Sequence, residues 1–188
     1  MLWILIWVTG CGLGQTSLPR KERSFNQERA YQDVVQQLEF GPRIPGSEGH
    51  HKTVDYIIRE LRAAGWNTVR QSGMKMGHPV VNVIAYRDPR QPYILLGAHY
   101  DTRMHADQDP NPEQRTAPVP GANDGASGVG VLLELARTIP ASQDVPVRLA
   151  FFDAEDNGSI PGWDWILGSR LYAEKMDMDP LGVVIVDM

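Results

Sequence analysis

Acidic and imidazole side chains stand at four places where an apolar run ends or a helix is about to begin. Three sets follow apolar runs, and the fourth lies in the glycine-rich string PGANDGASG; in chain order they are His99-Tyr100-Asp101, Asp124, Glu155-Asp156 and Asp187. Zinc binds carboxylate oxygens and imidazole nitrogens at ~2.0–2.2 Å. A glutamate beside such ligands can act as a general base. Because crowded carboxylates repel each other, the pattern favours a cation between them.

The elements that must position these residues alternate between strands and helices. Apolar runs predict strands at 80–86, 93–98, 147–152 and 182–186, and helical spacing predicts helices around 31–38, 54–61, 129–136 and 165–175. The alternation predicts an α/β fold: a mostly parallel or mixed central sheet with helices on both faces. Ligands bind at the carboxyl ends of such strands, so three of the four sets are expected to share one edge. Asp124 joins them if its loop curls back over that edge.

Each set also has an ordinary structural interpretation. Asp124 is a favoured type of residue to cap the helix expected near Ala126. His99 fits a buried structural histidine, Glu155-Asp156 an exposed acidic turn, and Asp187 a solvated strand end. Four such coincidences in this order are much less probable than any one alone. The long segment 102–121, rich in Pro, Asp and Gln, is expected to be an irregular loop of a kind that is usually functional or disordered.

The amino-terminal residues 1–23 have the features of an export signal followed by a linker. The run MLWILIWV is too short to span a bilayer as a helix. Val8-Thr9-Gly10-Cys11 resembles a bacterial lipobox, which predicts lipid attachment at Cys11 and a lipid-anchored or secreted protein of the bacterial cell envelope, although the usual positive charges are missing. The alternative is an apolar tail with one free thiol. Residues 24–188 form the expected domain. The net charge of −5 and the lack of a basic patch argue against nucleic acid as a partner.

From Gly41-Pro42-Arg43 to its last residue, the chain resembles the zinc aminopeptidase and glutaminyl-peptide cyclotransferase superfamily. Four strings carry the resemblance: GAHYD at 97–101, PGANDGASG at 120–128, FFDAED at 151–156 and VIVDM at 184–188. The resemblance implies a zinc-dependent exopeptidase fold of the phosphorylase/hydrolase-like type. It also implies that Asp124 and Asp156 bind zinc, that His99 and Asp187 belong to a second-metal position, and that Glu155 and Asp187 are catalytic.

The sequence departs from the superfamily pattern in two respects. Asp156 stands where most members have Glu, and this shorter side chain requires a closer approach of the backbone to the metal. The last zinc-binding His of the superfamily lies on a later segment, whereas this sequence stops at Met188 and its four other histidines do not match that motif: His50, His51, His78 and His105. Residues 1–188 alone are therefore expected to bind zinc weakly and to show no turnover.

The segment 157–167 decides between branches of the superfamily. It is longer than the equivalent link in aminopeptidases and carries Trp163, which favours a glutaminyl cyclase with an aromatic wall for its substrate; the alternative is that Trp163 and Trp165 pack under the loop. A cyclase would convert N-terminal Gln to pyroglutamate with one zinc. An aminopeptidase would use two zincs bridged by Asp124. An inactive fragment or a metal-free interaction ectodomain is the remaining alternative. For both enzymes the partners are peptide or protein N-termini.

Overall fold

The computed structural model describes residues 24–188, which form a five-stranded sheet with four α-helices. The predicted signal-like segment and linker at 1–23, with Cys11, lie outside the described residues. In chain order the elements are α1 (Gln27–Glu39), α2 (Glu48–Ala63), β1 (Asn67–Lys75), β2 (His78–Tyr86), β3 (Ile94–His99), α3 (Ala126–Thr138), β4 (Val147–Phe152), α4 (Leu167–Glu174) and β5 (Gly182–Ile185). Within the described part of the chain, no helix has the length and apolar character needed to cross a membrane.

The sheet is mixed, with strand order β1-β2-β4-β3-β5. Strands β4, β3 and β5 run parallel, with His99 opposite Phe152 and Gly97 opposite Ile185. The β1–β2 hairpin joins the other side of β4 in antiparallel orientation. The carboxyl ends of three parallel strands therefore meet at one edge, which we call the rim. This arrangement confirms the predicted fold class.

Alternating residues of the strands pack against helices on both faces of the sheet. On one face, Leu149 and Phe151 belong to the main apolar core, together with residues of α2 and α3. On the other face, Ala150 and Phe152 pack with Tyr172 of α4. Helix α1 packs on α3 rather than on the sheet. The two layers fix the sheet from both sides and leave the rim open at its end.

The structure differs from the sequence expectations in two elements. Strand β1 was not predicted, because its sequence NTVRQSGMK is largely polar and no residue in it is fully buried. Helix α1 occurs as predicted, but its buried residues are Ala30, Asp33 and Gln37, whereas Tyr31 is exposed. Polar partners on α3 therefore decide which face of α1 turns inward.

Candidate active site

His99 is the last residue of β3 and forms the centre of the candidate site. Its side chain is 3% exposed. Nε2 lies 2.9 Å from Oδ1 of Asp124 and 3.6 Å from Oδ1 of Asp187, and Nδ1 lies 3.4 Å from Oδ1 of Asp101. The contacts of Nε2 do not have hydrogen-bond geometry, so this buried nitrogen has no hydrogen-bond partner among the described residues. The ring thus directs one nitrogen toward a space shared with two carboxylates.

The glycine-rich loop brings Asp124 to the rim. Gly121 and Gly125 have φ angles of +68° and +87°, a backbone conformation that residues other than glycine rarely adopt. The residue that caps α3 is Gly125, which makes no side-chain cap bond. The carboxylate of Asp124 instead faces His99. The interpretation of Asp124 as a helix cap is therefore wrong.

The segment after β4 turns back toward His99 through Ala154. Ala154 is fully buried and has a φ angle of +50°, which costs an ordinary residue free energy of order ~1 kcal/mol. The buried carboxylate of Asp101 accepts hydrogen bonds from the backbone N–H groups of Glu155 (2.9 Å) and Asp156 (3.3 Å). Asp101 thereby links the β3 end to the acidic segment. Glu155-Asp156 is consequently not an exposed turn.

Asp187 follows β5 and completes the group around His99. One ligand atom each from His99, Asp124 and Asp187 lie within 4.8 Å of one another. The side chains of Asp124 and Asp187 are 41% and 45% exposed, so the group opens to solvent on one side. Asp156 is buried and does not belong to this group of three.

The electrostatics of the site reflect several carboxylates around one imidazole. Burial lowers the pKa of His99, but the carboxylates of Asp101 and Asp124 outweigh it and raise the pKa to about 11. Contact with His99 lowers the pKa of Asp124 in spite of partial burial. Burial and the charges of Asp124 and Asp101 raise the pKa of Asp156 to about 7. Burial is also the main cause of the raised pKa of Glu155.

The residues present fit a zinc ion by their chemistry and spacing. At zinc–ligand distances of ~2.0–2.2 Å, neighbouring ligand atoms of a tetrahedral site lie ~3.3–3.6 Å apart. The 2.9 and 3.6 Å separations around His99 Nε2 are close to that spacing, and this nitrogen has no hydrogen bond that it would lose. A bound zinc would require neutral His99. It would also offset the repulsion that raises the pKa of Asp156.

Two arginines hold the loops of the site through backbone carbonyls. Arg43 donates to the carbonyls of Tyr100 and Gly121, which joins the β3 end to the glycine-rich loop. Arg103 donates to the carbonyls of Asp156 (2.6 Å) and Gly158 (3.1 Å). No pattern in the sequence indicates these roles, because the backbone carbonyls that the arginines hold belong to every residue type.

The two tryptophans of the segment 157–167 have different surroundings. Trp163 stacks on His78, with ring centroids 3.7 Å apart, and packs against a small apolar cluster that includes Ala154. Trp165 is 41% exposed, and the guanidinium of Arg103 lies 5.2 Å from its ring centroid. A Cβ at Gly158 would come within 2.1 Å of the Trp165 ring. Trp165 therefore lies directly against the segment that carries Asp156.

The chain is similar to solved structures of two kinds. It is 36% identical to the glutaminyl cyclase of Porphyromonas gingivalis, with a TM-score of 0.81 over 87% of this chain and 61% of that one. It is 32% identical to a leucine aminopeptidase precursor from Bacteroides thetaiotaomicron VPI-5482, with a TM-score of 0.81 over 89% and 64%.

Curated relatives fall into the same two classes. The glutaminyl-peptide cyclotransferase of Boiga irregularis is 27% identical over 190 residues, which cover 89% of this chain and 50% of the relative. The "Probable lipoprotein aminopeptidase LpqL" of Mycobacterium tuberculosis is 33% identical over 134 residues, which cover 69% and 22%. The chain thus spans half or less of these relatives and less than two thirds of the solved proteins.

The family model that matches is described as peptidase family M28, and it covers residues 80–188. This range includes all four sets of acidic and imidazole residues at the rim and every strand except β1 and the first two residues of β2. The match extends over more than half of the chain, and the solved relatives share its mixed sheet. The chain belongs to peptidase family M28.

Proposed function

We propose that the protein expressed from its native gene is a zinc-dependent enzyme that acts on peptide N-termini as a glutaminyl-peptide cyclotransferase. The observation that carries the proposal is the approach of Asp156 to Asp124 at the rim: Asp101 accepts a hydrogen bond from the Asp156 N–H, and burial together with the charge of Asp124 raises the pKa of Asp156. Glu155, a base with a raised pKa, belongs to the same electrostatic cluster as these residues. The similarity to the P. gingivalis glutaminyl cyclase supports the choice of reaction.

Asp124 and Asp156 are the proposed zinc ligands, and zinc bound there would polarise the γ-carbonyl of an N-terminal Gln. Glu155 takes a proton from the α-amine as the α-amine nitrogen attacks the side-chain amide carbon, Cδ, of the Gln. The ring C–N bond forms, the C–N bond to the side-chain nitrogen breaks, and Glu155 passes the proton to the departing ammonia. Its raised pKa suits both halves of this transfer. Asp187 is the proposed second member of the proton network.

The segment 157–167 is the proposed wall of the substrate pocket, with Trp163 as the substrate-binding residue. Trp163 is partly exposed and lies on a turn held by a hydrogen bond to the Ile160 carbonyl. Trp165 offers a second exposed aromatic surface, close to Asp156. Aromatic side chains suit this task because they give a large rigid surface that excludes water from the reacting atoms.

A two-zinc aminopeptidase is the second candidate. The group of His99, Asp124 and Asp187 supports it, because these residues would complete a second metal position, with Asp124 as the bridge. The similarity to the B. thetaiotaomicron leucine aminopeptidase precursor points the same way. Glu155 would then take the proton from a water molecule that attacks a backbone carbonyl.

The test is to incubate the protein expressed from its native gene with a Gln-initiated and a Leu-initiated peptide. We expect ammonia and the matching mass loss from the Gln peptide, with little free leucine. A chelator should abolish the activity, and added zinc should restore it. Asp124→Asn should be inactive, whereas Asp109→Asn, in the long loop, should behave like wild type. Free leucine without ammonia would select the aminopeptidase. Turnover that resists both the chelator and Asp124→Asn would refute a zinc enzyme.

We also propose that the protein is exported to the bacterial cell envelope through residues 1–23, with lipid attached at Cys11. The similarity to a relative named as a lipoprotein supports this location. Expression in the native host with a labelled fatty acid tests it. The label should stay with the wild-type protein in the membrane fraction and be lost in Cys11→Ala. Equal labelling of both would exclude Cys11 as the attachment site.

A further inference from the structure

Arg43 is a fully buried arginine whose backbone is fixed to the chain beyond β3. Its N–H donates to Oγ1 of Thr102 at 2.9 Å, and its carbonyl accepts from the N–H of Thr102 at 3.2 Å. The side chain is 0% exposed. The backbone of Arg43 is therefore anchored to Thr102, three residues after His99, independently of the contacts of its side chain.

The guanidinium of Arg43 joins the two segments that carry His99 and Asp124. Nε donates to the Tyr100 carbonyl at 2.8 Å. The two terminal nitrogens donate to carbonyls of the glycine-rich loop, those of Pro120 (3.0 Å), Gly121 (2.5 Å) and Asp124 (3.5 Å). Tyr100 directly follows His99, so one planar group spans both sides of the candidate metal position.

The glycine-rich loop is shaped to this guanidinium. A Cβ on Gly121 would lie 2.5 Å from a terminal nitrogen of Arg43 and 2.2 Å from Cγ2 of Thr102. A Cβ on Gly125 would lie 2.8 Å from the Asp101 carbonyl oxygen. Both glycines also have positive φ angles. The glycine-rich loop therefore packs directly against Arg43. Its backbone conformation depends on the hydrogen bonds that Arg43 donates to its carbonyls.

Arg43 is a cation close to the acidic residues of the rim, but it forms no ion pair with them. Burial lowers the pKa of Arg43 to about 10, and the charges of Asp101 and Asp124 act against that decrease. The group thus remains a cation at neutral pH. Among the described residues, no carboxylate oxygen lies within 4 Å of its nitrogens. Arg43 thus holds the backbone of Asp124 through its carbonyl, and the carboxylate of Asp124 remains free to face His99.

We propose that Arg43 is a positioning residue that fixes the backbone of Asp124, so that the Asp124 carboxylate is held where it can bind a zinc ion. The proposal rests on the proposed function, because it assigns Arg43 to the same metal site. A methionine of similar length would avoid burial of a charge, so the guanidinium is explained by the carbonyls that it holds. Residues that orient metal ligands typically contribute ~10–100-fold to metal affinity.

The chain offers a matched control in Arg87, which also binds backbone carbonyls. Its terminal nitrogens donate to the carbonyls of Ile139, Ala64 and Ala136 at 2.6–2.9 Å. Arg87 follows β2, whose last residue pairs with Arg148 near the start of β4, so it lies at the edge of the sheet opposite the rim. Loss of either guanidinium removes the same kind of interaction, but only one of them is near Asp124.

The experiment compares Arg43→Met, Arg43→Lys and Arg87→Met in the protein expressed from its native gene. Zinc affinity is measured by competition with a chromophoric chelator, and amide exchange is measured at Ala126 and Ser127, which hydrogen-bond back to Gly121 and Asn123. We expect Arg43→Met to weaken zinc binding ~10–100-fold and to speed exchange at both amides. Arg43→Lys should be intermediate, because an ammonium cannot form the planar fork. Arg87→Met should change neither.

The outcomes separate this inference from the proposed function. Zinc affinity within twofold of wild type in Arg43→Met would overturn the inference, as would an equal loss in Arg87→Met. If Arg43→Met does not fold, Arg43→Lys decides by the same criteria. If the wild-type protein binds no zinc, the proposed function fails, and unchanged amide exchange in Arg43→Lys would then also refute positioning of the loop. Faster amide exchange in Arg43→Lys would instead support the role of Arg43 in positioning the loop, without a link to zinc.

Discussion

Two groups of acidic side chains in this protein have opposite electrostatic surroundings. Between α1, α2 and α3, arginines neutralise the acids of a helical ion-pair cluster, which consists of Arg29, Asp33, Glu60, Glu134 and Arg137. Arg137 contacts both oxygens of Asp33 at 2.5 and 2.9 Å, and Arg29 contacts both oxygens of Glu134 at 2.6 and 2.7 Å. Bidentate pairs of this kind are among the strongest charged hydrogen bonds. Each acid of the cluster has an arginine partner within it, and the cluster joins three helices.

At the rim, the carboxylates have no arginine partner among the described residues. The rim carboxylates are Asp101, Asp124, Glu155, Asp156 and Asp187, and the cationic side chain within 4 Å of three of them is His99. Arg43 and Arg103 are close to this group, but they donate to carbonyls and, for Arg103, to Asp107. Both regions have arginines close to several acids. The position of the arginine guanidinium groups therefore decides whether the acids form a closed structural cluster or remain available to a metal ion.

If this distinction is correct, loss of a rim acid should damage chemistry rather than stability. Glu155→Gln keeps the shape of the side chain and removes its ability to carry a proton. We expect the turnover number to fall ~10²–10⁴-fold with the zinc content unchanged. Steady-state kinetics and metal analysis measure the two quantities. Glu113→Gln, at an exposed position of the long loop, is the control. Near-normal turnover in Glu155→Gln would show that another group moves the proton.

Loss of an arginine from the helical ion-pair cluster should have the opposite effect. Arg137→Met leaves the buried carboxylate of Asp33 without its bidentate partner. We expect a loss of about 3 kcal/mol in the free energy of unfolding, at the low end for a broken buried pair because Arg137 keeps some contact with solvent. Zinc affinity should not change. Arg59→Met, which removes an exposed pair with Glu60, should cost under ~1 kcal/mol. A matching loss of zinc affinity in Arg137→Met would mean that the two regions are not independent.

The same cluster should weaken in acid. Burial acts to raise the pKa of Glu134, but hydrogen bonds from Arg29 and the Asn26 N–H outweigh it and hold the pKa below the ordinary value of 4.5. A lowered folded-state pKa gives stability that is present above the unfolded pKa and is lost as the pH falls through the folded value. The stability difference between wild type and Glu134→Gln should therefore be constant near neutral pH and shrink below pH ~4. Denaturant titrations across this range measure it, and a difference that grows in acid would contradict the assignment.

The smallest effects are expected from the tryptophans beside the rim. Trp163→Ala and Trp165→Ala should each raise KM for a Gln-initiated peptide, by about tenfold or ~1.4 kcal/mol, and should change the turnover number little. Trp163→Ala should also lower the melting temperature, because its ring stacks on His78 and packs on the cluster with Ala154. Trp66→Ala, in the main core, is the control: it should lower the melting temperature and leave KM unchanged. Unchanged KM in both variants would remove the aromatic wall from the proposed function.

The sequence predicted the parts of the site that depend on strand ends. An apolar run followed by an acid or a histidine marks the carboxyl end of a parallel strand, and β3, β4 and β5 meet at one edge as that pattern requires. The α/β fold follows from the same alternation. Strand β1 could not be predicted, because it is an edge strand that buries little apolar surface.

The rest of the site depends on contacts that leave no pattern in the sequence. Arg43 lies 77 residues from Pro120 in the chain, and its partners are carbonyls, which every residue possesses. The long loop 102–121 was expected to be irregular, and apart from one short 3-10 helix at Pro112–Gln114 it is. The environments of Trp163 and Trp165 depend on His78 and Arg103, which come from distant segments. The assignment of Trp163 and of the individual zinc ligands stays a prediction.

A zinc ion bound at the rim can be located directly by crystallography. Crystals of the protein expressed from its native gene, grown with zinc, should give an anomalous peak at the zinc absorption edge within ~2.0–2.2 Å of an Asp124 carboxylate oxygen. One peak per chain would agree with the cyclotransferase, and a second peak beside His99 and Asp187 would favour the aminopeptidase. Asp124→Asn should lose the peak. No peak at the rim of the wild-type protein, or an unchanged peak in Asp124→Asn, would contradict the assignment of these carboxylates to a zinc site.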